Sequence, residues 1–121
     1  MATRDLTAQD FNDTIASNDI VLVDFWASWC GPCRAFAPTF TASSEKHPDI
    51  VFGKVDTEAQ EQLAAAAGIR AIPTLMAFKK GHLVFSQAGA LPPAALEDLI
   101  TQVRDLDIDA AVAAESSATE V

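Results

Sequence analysis

The stretch Ile20–Cys33 reads IVLVDFWASWCGPC, and it decides the fold. Its first seven residues, Ile20–Trp26, form a near-continuous apolar run, which is typical of a central strand covered on both faces. A turn with two cysteines follows. Pro32 suits the first turn of a helix because its missing amide hydrogen does no harm there. The stretch therefore predicts a buried strand, a tight turn and a helix that begins at the cysteine pair.

Further elements are predicted on both sides of this stretch. A first helix is expected to start within Leu6–Phe11, with Thr7 capping its exposed amides. The helix after the cysteines should reach about Lys46, with a kink at Pro38. The later elements are a strand at Ile50–Asp56, a helix opened by a capping box at Thr57–Gln60 and closed by Gly68, a hairpin of Ile72–Phe78 with Leu83–Ser86, and an amphipathic helix from Pro92. This order predicts an α/β fold with a central mixed sheet flanked by helices on both faces.

Length and charge set the organisation of the chain. The 121 residues suit one domain, which we place at residues 1–106, followed by an acidic and flexible tail at residues 107–121. The net charge is −9, so the basic footprint of a nucleic-acid-binding protein is missing. The residues before Phe11 contain no apolar signal core, and no apolar run approaches the roughly 18 residues of a membrane span. We therefore expect a cytoplasmic monomer with no nucleic-acid or membrane partner.

Cys30 and Cys33 are the two cysteines of the chain. A bridge between them would close too small a loop to stabilise a fold, so the pair points to catalysis or metal binding. Zinc needs about four ligands, and His47 and His82 are isolated in apparent surface turns. A metal site would therefore need a dimer that shares two pairs, and an inert pair of buried thiols is the other alternative. We expect no metal and no bound cofactor.

The position of the pair favours thiol chemistry. A thiolate is the attacking form of cysteine, and the amino end of a helix stabilises its negative charge. Cys33 lies one turn further on and can donate a hydrogen bond to the sulfur of Cys30. We expect Cys30 to stay exposed between Trp29 and Pro32, with Cys33 pointing inward. Cys30 would then attack a partner disulfide, and Cys33 would displace the partner from Cys30.

Asp24 is the most informative residue outside the pair. A carboxylate within the run Ile20–Trp26 is expected to be buried, and burial raises the pKa of a carboxyl group. A raised pKa suits a proton acceptor near neutral pH. The alternative is that Asp24 simply reaches a water molecule or Lys54.

The segment Val23–Cys33 resembles the active-site segment of the thioredoxin family. Lys54–Asp56, Ile72–Thr74 and Gly89–Ala90 match further family positions in the same order, and the resemblance spans about residues 6–104. It implies a thioredoxin fold and a general protein-disulfide reductase. It also implies that Asp24 takes the proton of Cys33 beside Lys54.

The same resemblance implies a substrate-binding rim around Cys30. It implies a cis peptide bond at Pro73, which holds Ile72 beside Cys30. The rim would consist of Trp29, Gly31, Pro32, Ile72, Pro73, Gly89 and Ala90. The partners implied are many disulfide-containing proteins and a thioredoxin reductase. NADPH would be used only through that reductase, because this chain has no nucleotide-binding glycine motif.

Two other functions stay open at this point. An oxidase or isomerase would use the same residues in the opposite direction, although Gly31-Pro32 resembles the reducing members of the family. A binding module would hold partners on the Trp29–Ile72 surface without turnover. The chain also departs from the family pattern at Arg34, where lysine is frequent, and at Ala71, where glycine is common.

Overall fold

The computed structural model describes residues 2–119 of the chain. Its elements, in chain order, are β1 (Thr3–Asp5), α1 (Phe11–Ser17), β2 (Ile20–Trp26), α2 (Gly31–Lys46), β3 (Val51–Asp56), α3 (Glu61–Ala66), β4 (Thr74–Lys79), β5 (His82–Ala88), α4 (Pro93–Asp105) and α5 (Ile108–Thr119). Within the described part of the chain, no helix is both long enough and apolar enough to span a bilayer.

Within residues 2–119, five strands form one mixed sheet in the order β1-β3-β2-β4-β5. Strands β1, β3 and β2 run parallel to one another, and β4 is antiparallel to both β2 and β5. Strand β2 lies at the centre, and Ile20 to Phe25 are all buried. That position explains its sequence, because a strand covered on both faces needs apolar side chains at successive positions.

Helices cover both faces of the sheet, as the sequence predicts. On one face α2 and α4 pack over β2, β3 and β4, and Phe40 of α2 meets Phe52 of β3 with ring centroids 5.1 Å apart. On the other face α1 and α3 cover the opposite side chains of the same strands, with Phe11 of α1 beside Phe25 of β2. The hydrophobic clusters on the two faces of the sheet hold β2 in place, and they thereby position the turn that leads to the cysteines.

The boundaries of β2 and α2 agree with the sequence prediction, and Pro38 lies inside α2. The start of α1 at Phe11 lies within the predicted range Leu6–Phe11. In the turn before it, the hydroxyl of Thr7 accepts from the amide of Gln9 at 3.3 Å, and the carboxylate of Asp10 accepts from the amide of Thr7 at 2.7 Å. The predicted start of α3 is wrong. Helix α3 begins at Glu61, because the hydroxyl of Thr57 donates to the carbonyl of Trp26 instead of capping.

The C-terminal segment contains a helix, α5, that the sequence did not lead us to expect. Ile108 at its start is 5% exposed, and Lys80 forms an ion pair with Asp109 at 3.8 Å. Before it, the buried ammonium of Lys79 donates to the carbonyl oxygens of Val103, Arg104 and Leu106 at 2.7–2.8 Å. Lys79 thereby joins β4 to the carboxyl end of α4, where the helix dipole stabilises a positive charge.

Candidate active site

The two cysteines lie where the end of β2 turns into α2. Cys30 is the N-cap residue of α2, with an extended backbone, and Cys33 lies in the first turn. The two form a disulfide with their Cα atoms 5.2 Å apart. The helix start arises because Cys30 caps it with its own sulfur and Pro32 occupies the first turn.

The sulfur of Cys30 has two backbone neighbours. The amide of Cys33 donates a hydrogen bond to it at 3.2 Å, and the carbonyl oxygen of Ile72 lies 3.7 Å away. The amide and the positive end of the α2 dipole both favour a negative charge on this sulfur. This geometry supports Cys30 as the sulfur that is ionised in the reduced protein.

The expected contrast in exposure between the cysteines is not observed. Cys30 is 4% exposed and Cys33 is 2% exposed, so both are buried in the disulfide form. The reason is packing, because Ala27, Trp26 and Ile72 lie against the two cysteines. Any difference in reactivity between them therefore rests on electrostatics and on local movement of the covering residues.

Asp24 is buried in the middle of β2, as the sequence predicts. Its side chain is 1% exposed, and neither carboxylate oxygen has a hydrogen-bond partner among residues 2–119. Burial raises the pKa of Asp24 to about 6, and the charge of Lys54 opposes this rise. Such a group exchanges a proton close to neutral pH.

Lys54 lies beside Asp24 in the register of β2 and β3. The alternative that Asp24 is paired directly with Lys54 is not supported, because the two form no ion pair within the described residues. The ammonium of Lys54 instead lies 5.0 Å from the ring centroid of Trp26, a cation–π contact. Lys54 therefore acts on Asp24 through its field rather than through a hydrogen bond.

The loop that faces Cys30 carries the cis bond that the resemblance implied. The Ile72–Pro73 peptide bond is cis, and the hydroxyl of Thr74 donates to the carbonyl of Ala71 in the same loop. Gly89 reaches this loop after β5, and its amide donates to the carbonyl of Pro73 at 2.7 Å. Gly89 has a φ of 105°, a conformation open to glycine, so a side chain here would strain the contact.

Trp29 is the exposed wall of the site, and its partner was missed by the sequence analysis. The indole is 64% exposed, and its Nε1 donates to the carboxylate of Glu58 at 2.9 Å. Glu58 is placed by the β3–α3 turn, where its amide donates to the side chain of Asp56. No local pattern in the sequence connects positions 29 and 58, because the contact joins two loops.

The remaining rim positions surround Cys30 to different degrees. Gly31, Pro32 and Ala90 are exposed, and Ile72 is half-buried. The guanidinium of Arg34 donates to the carbonyl of Ser28 at 2.9 Å, which ties α2 to the turn before it. The structure thus brings Ile72 to Cys30 and Gly89 to Pro73, and it places Trp29 at the side of Glu58.

The two histidines lie away from the cysteines. His47 contacts Glu97 at 2.7 Å and Arg104 at 2.9 Å, and His82 is exposed at the start of β5. Residues 2–113, whose side chains the structure describes, contain no group of three or more histidine, cysteine or acidic side chains placed to hold a metal ion.

Comparison with known proteins agrees with this site. The sequence profile of the thioredoxin family matches residues 2–102. A "Putative thioredoxin 2" of Streptomyces coelicolor is 55% identical over 108 residues, which cover 89% of this chain and 81% of that protein. "Thioredoxin C-3" of Corynebacterium nephridii is 41% identical, covering 81% of this chain and 68% of that protein.

Solved structures give the same result. A mutant thioredoxin from Halobacterium salinarum superposes with a TM-score of 0.79 at 34% identity, covering 87% of this chain and 92% of that one. Plasmodium falciparum thioredoxin gives a TM-score of 0.77 at 34% identity, with 83% and 98% covered. The buried strand, the disulfide at the start of α2 and these relatives agree: the chain belongs to the thioredoxin family, and it is a thiol–disulfide reductase.

Proposed function

We propose that this chain is a general protein-disulfide reductase in which Cys30 attacks and Cys33 resolves. In the reduced protein the Cys30 thiolate attacks one sulfur of a partner disulfide, and the other partner sulfur leaves as a thiolate. Cys33 then loses its proton and attacks the Cys30 sulfur. The Cys30–Cys33 disulfide forms, the second partner sulfur is released, and two electrons have moved to the partner.

The observation that carries this assignment is the amide of Cys33 pointing at the Cys30 sulfur across 3.2 Å. A hydrogen bond from a backbone amide stabilises a thiolate more than a thiol. The Cys33 sulfur has no such donor among the hydrogen bonds of the described residues. Cys30 is therefore the better nucleophile, and in the second step it is the sulfur that Cys33 attacks while the partner sulfur leaves as a thiolate.

Asp24 is proposed to receive the proton that Cys33 releases. Its support is the buried carboxyl without a hydrogen-bond partner among residues 2–119 and a pKa of about 6, on the strand that leads into the cysteine turn. A carboxylate at pH 7 that protonates readily matches a step in which a thiol must ionise. Lys54 is proposed to support this step by keeping the pKa of Asp24 from rising further.

The rim is proposed to bind extended segments of partner proteins. The Ile72 carbonyl lies near Cys30, and backbone pairing there suits many partners because it depends little on their side chains. Trp29, Gly31, Pro32, Pro73, Gly89 and Ala90 complete this surface. Ala71 and Glu58 are the positions where we expect partner preference to be set.

Proteins of this family generally work with a thioredoxin reductase and with disulfide substrates. We propose that a reductase using NADPH recharges this chain, that it works as a monomer in the cytoplasm, and that residues 1–106 form the functional domain. The cytoplasmic site is supported by the cysteine content, since both cysteines belong to the candidate active site and none is left for a structural bridge. Cell fractionation and light scattering test the location and the monomer.

The deciding experiment is NADPH-coupled reduction of insulin disulfides, with and without a bacterial thioredoxin reductase. We expect turnover only with both proteins present. Cys33→Ser should trap partners as mixed disulfides on Cys30, and the matched variant Cys30→Ser should trap none. A redox titration against glutathione distinguishes a reductase from an oxidase. An oxidising potential, or equal trapping by both variants, would contradict the proposal.

A further inference from the structure

Strand β5 forms one edge of the sheet, and its outer side has no strand beside it within the described residues. It pairs with β4 alone, and none of the loop, turn or cap hydrogen bonds of residues 2–119 uses the backbone of His82–Ala88. Exposed edges with unpaired amides and carbonyls readily accept a further strand. The edge is therefore chemically able to bind an extended peptide.

The half of this edge nearest the active site is regular and unprotected. A register shift between Ala77 and Phe78 leaves Val84 without a partner strand residue, and the pairs from Ala77–Phe85 to Thr74–Ala88 then follow in regular order. Proteins usually protect such edges with charged residues or proline, and Phe85–Ala88 has neither. Because hydrogen-bonding groups alternate between the two sides of a strand, two of these four residues are open for pairing with a further strand.

A groove lined by both apolar and polar side chains lies beside this edge, between β5 on one side and α4 with the start of α5 on the other. It consists of three adjoining cavities of about 390, 200 and 260 Å³. The first two share Val84 and Leu106, and the last two share Phe85, Leu99 and Gln102. A strand added to β5 would direct alternate side chains into this groove.

The α4 wall of the groove is acidic. Asp98 and Gln102 line it, and Asp105 follows at helical spacing on the same exposed face. Three basic residues of α4 and the β4–β5 hairpin are engaged elsewhere, because Arg104 is bound to Asp49, Lys79 to three carbonyls and Lys80 to Asp109. A segment that carries lysine or arginine in the same groove-facing row as its apolar side chains would complement this wall.

We propose that the β5–α4 groove binds a basic, extended segment of a partner protein, which adds a sixth strand along Phe85–Ala88. Its apolar side chains enter the groove between Phe85 and Leu99, and its cationic side chains face Asp98 and Asp105. The groove ends at Leu91, close to Gly89 and the cis-proline loop. A partner held here would have neighbouring chain within reach of Cys30, yet the binding itself needs no thiol.

The test uses a blocked peptide, Lys-Thr-Val-Thr-Val-Thr-Lys, whose lysines and valines share one face of a strand. It is titrated into the full chain in its disulfide form and followed by NMR. We expect shift changes and slower amide exchange at Phe85–Ala88, with changes at Leu99 and Gln102. The same result is expected for Cys30→Ser, which separates this proposal from the reductase assignment. A peptide with glutamate in place of both lysines should bind several-fold more weakly.

Two variants and one modified peptide sharpen the result. Asp98→Asn with Asp105→Asn should weaken binding roughly two- to fivefold, whereas Asp13→Asn on α1 should not. N-methylation of alternate peptide amides should abolish binding, because it removes the ladder hydrogen bonds. No shifts up to about 1 mM peptide, shifts confined to the Trp29–Ile72 rim, equal binding by the methylated peptide, or pairing of two copies of this chain through β5 would each overturn the proposal.

Discussion

The amide of Cys33 and the sulfur of Cys30 lie 3.2 Å apart, with the amide as donor. One cysteine therefore stabilises the charge on the other before any chemistry takes place. Because both cysteines are equally covered by their neighbours, this hydrogen bond and the helix start are the main differences between the two sulfurs.

That asymmetry predicts unequal alkylation of the reduced protein. We expect iodoacetamide at pH 7 to label Cys30 at least about tenfold faster than Cys33, because a lower pKa leaves more thiolate. Peptide mapping of a time course measures both rates. Cys30→Ser should leave Cys33 slow. Equal and slow labelling of both sulfurs would contradict the electrostatic argument.

Asp24 predicts an unusual dependence of stability on pH. Its pKa is about 6 in the folded chain against an ordinary value of 3.8, so between these pH values the unfolded chain has released a proton that the folded chain keeps. The contribution of Asp24 to the free energy of unfolding is therefore most favourable below about pH 4. It decreases as the pH rises from about 4 to 6 and is lost above that. Above pH 7 the buried charge of Asp24 lowers the free energy of unfolding by about 3 kcal/mol.

Removal of the carboxylate should therefore stabilise the oxidised protein. We expect Asp24→Asn to raise the free energy of unfolding at pH 8 by roughly 1–3 kcal/mol and to flatten its decline between pH 4 and 7. Urea unfolding at a series of pH values measures both effects. The same variant should resolve Cys30 mixed disulfides more slowly, with the inflection near pH 6 lost. A variant that is less stable at pH 8 and retains this inflection would refute the assignment.

The sheet and the active-site helix provide a pair of glycines for comparison. A Cβ at Gly53 would overlap the side chain of Leu6, whereas a Cβ at Gly31 would meet nothing within 4 Å. We expect Gly53→Ala to cost about 1–3 kcal/mol in the free energy of unfolding. Gly31→Ala should change it by less than about 0.5 kcal/mol. Similar losses in both variants would show that Leu6 moves aside easily.

Replacement of Lys79 should lower the free energy of unfolding substantially, although lysine is usually an exposed residue. Its ammonium is the donor for three carbonyls at the end of α4, and Lys79→Met leaves them without it. We expect a loss of about 1–3 kcal/mol in the free energy of unfolding. Lys80→Met is the matched control, since Lys80 is exposed and its ion pair with Asp109 is long, so its effect should stay within about 0.5 kcal/mol. Equal effects of the two variants would mean that the carbonyls find other donors.

The parts of the molecule that the sequence predicted are those set by local patterns. Strand β2 is an apolar run with no alternation, and α2 begins at its proline, so both were placed closely. Strand β1 was missed because its three residues have no apolar pattern and it exists only through pairing with β3. The late start of α3 has a similar cause, since Thr57 is engaged by β2.

The active site likewise has some features that local sequence patterns predict and others that depend on contacts between distant segments. The cysteines and the buried Asp24 could be recognised from their neighbours in sequence. The cis bond at Pro73 was expected only through the family resemblance, because most bonds before proline are trans. The contact of Trp29 with Glu58 joins loops 29 positions apart, and no rule based on spacing predicts it.

The anchoring of Lys79 also bears on how this chain can be joined to other proteins. All three of its acceptors precede α5, and the last of them is Leu106. A fusion partner or affinity tag that replaces the chain from Asp109 onward would keep these acceptors and the buried Ile108. The carboxyl side of Ile108 is therefore a suitable attachment point, because a fused protein there leaves the hydrogen bonds between Lys79 of β4 and the end of α4 intact.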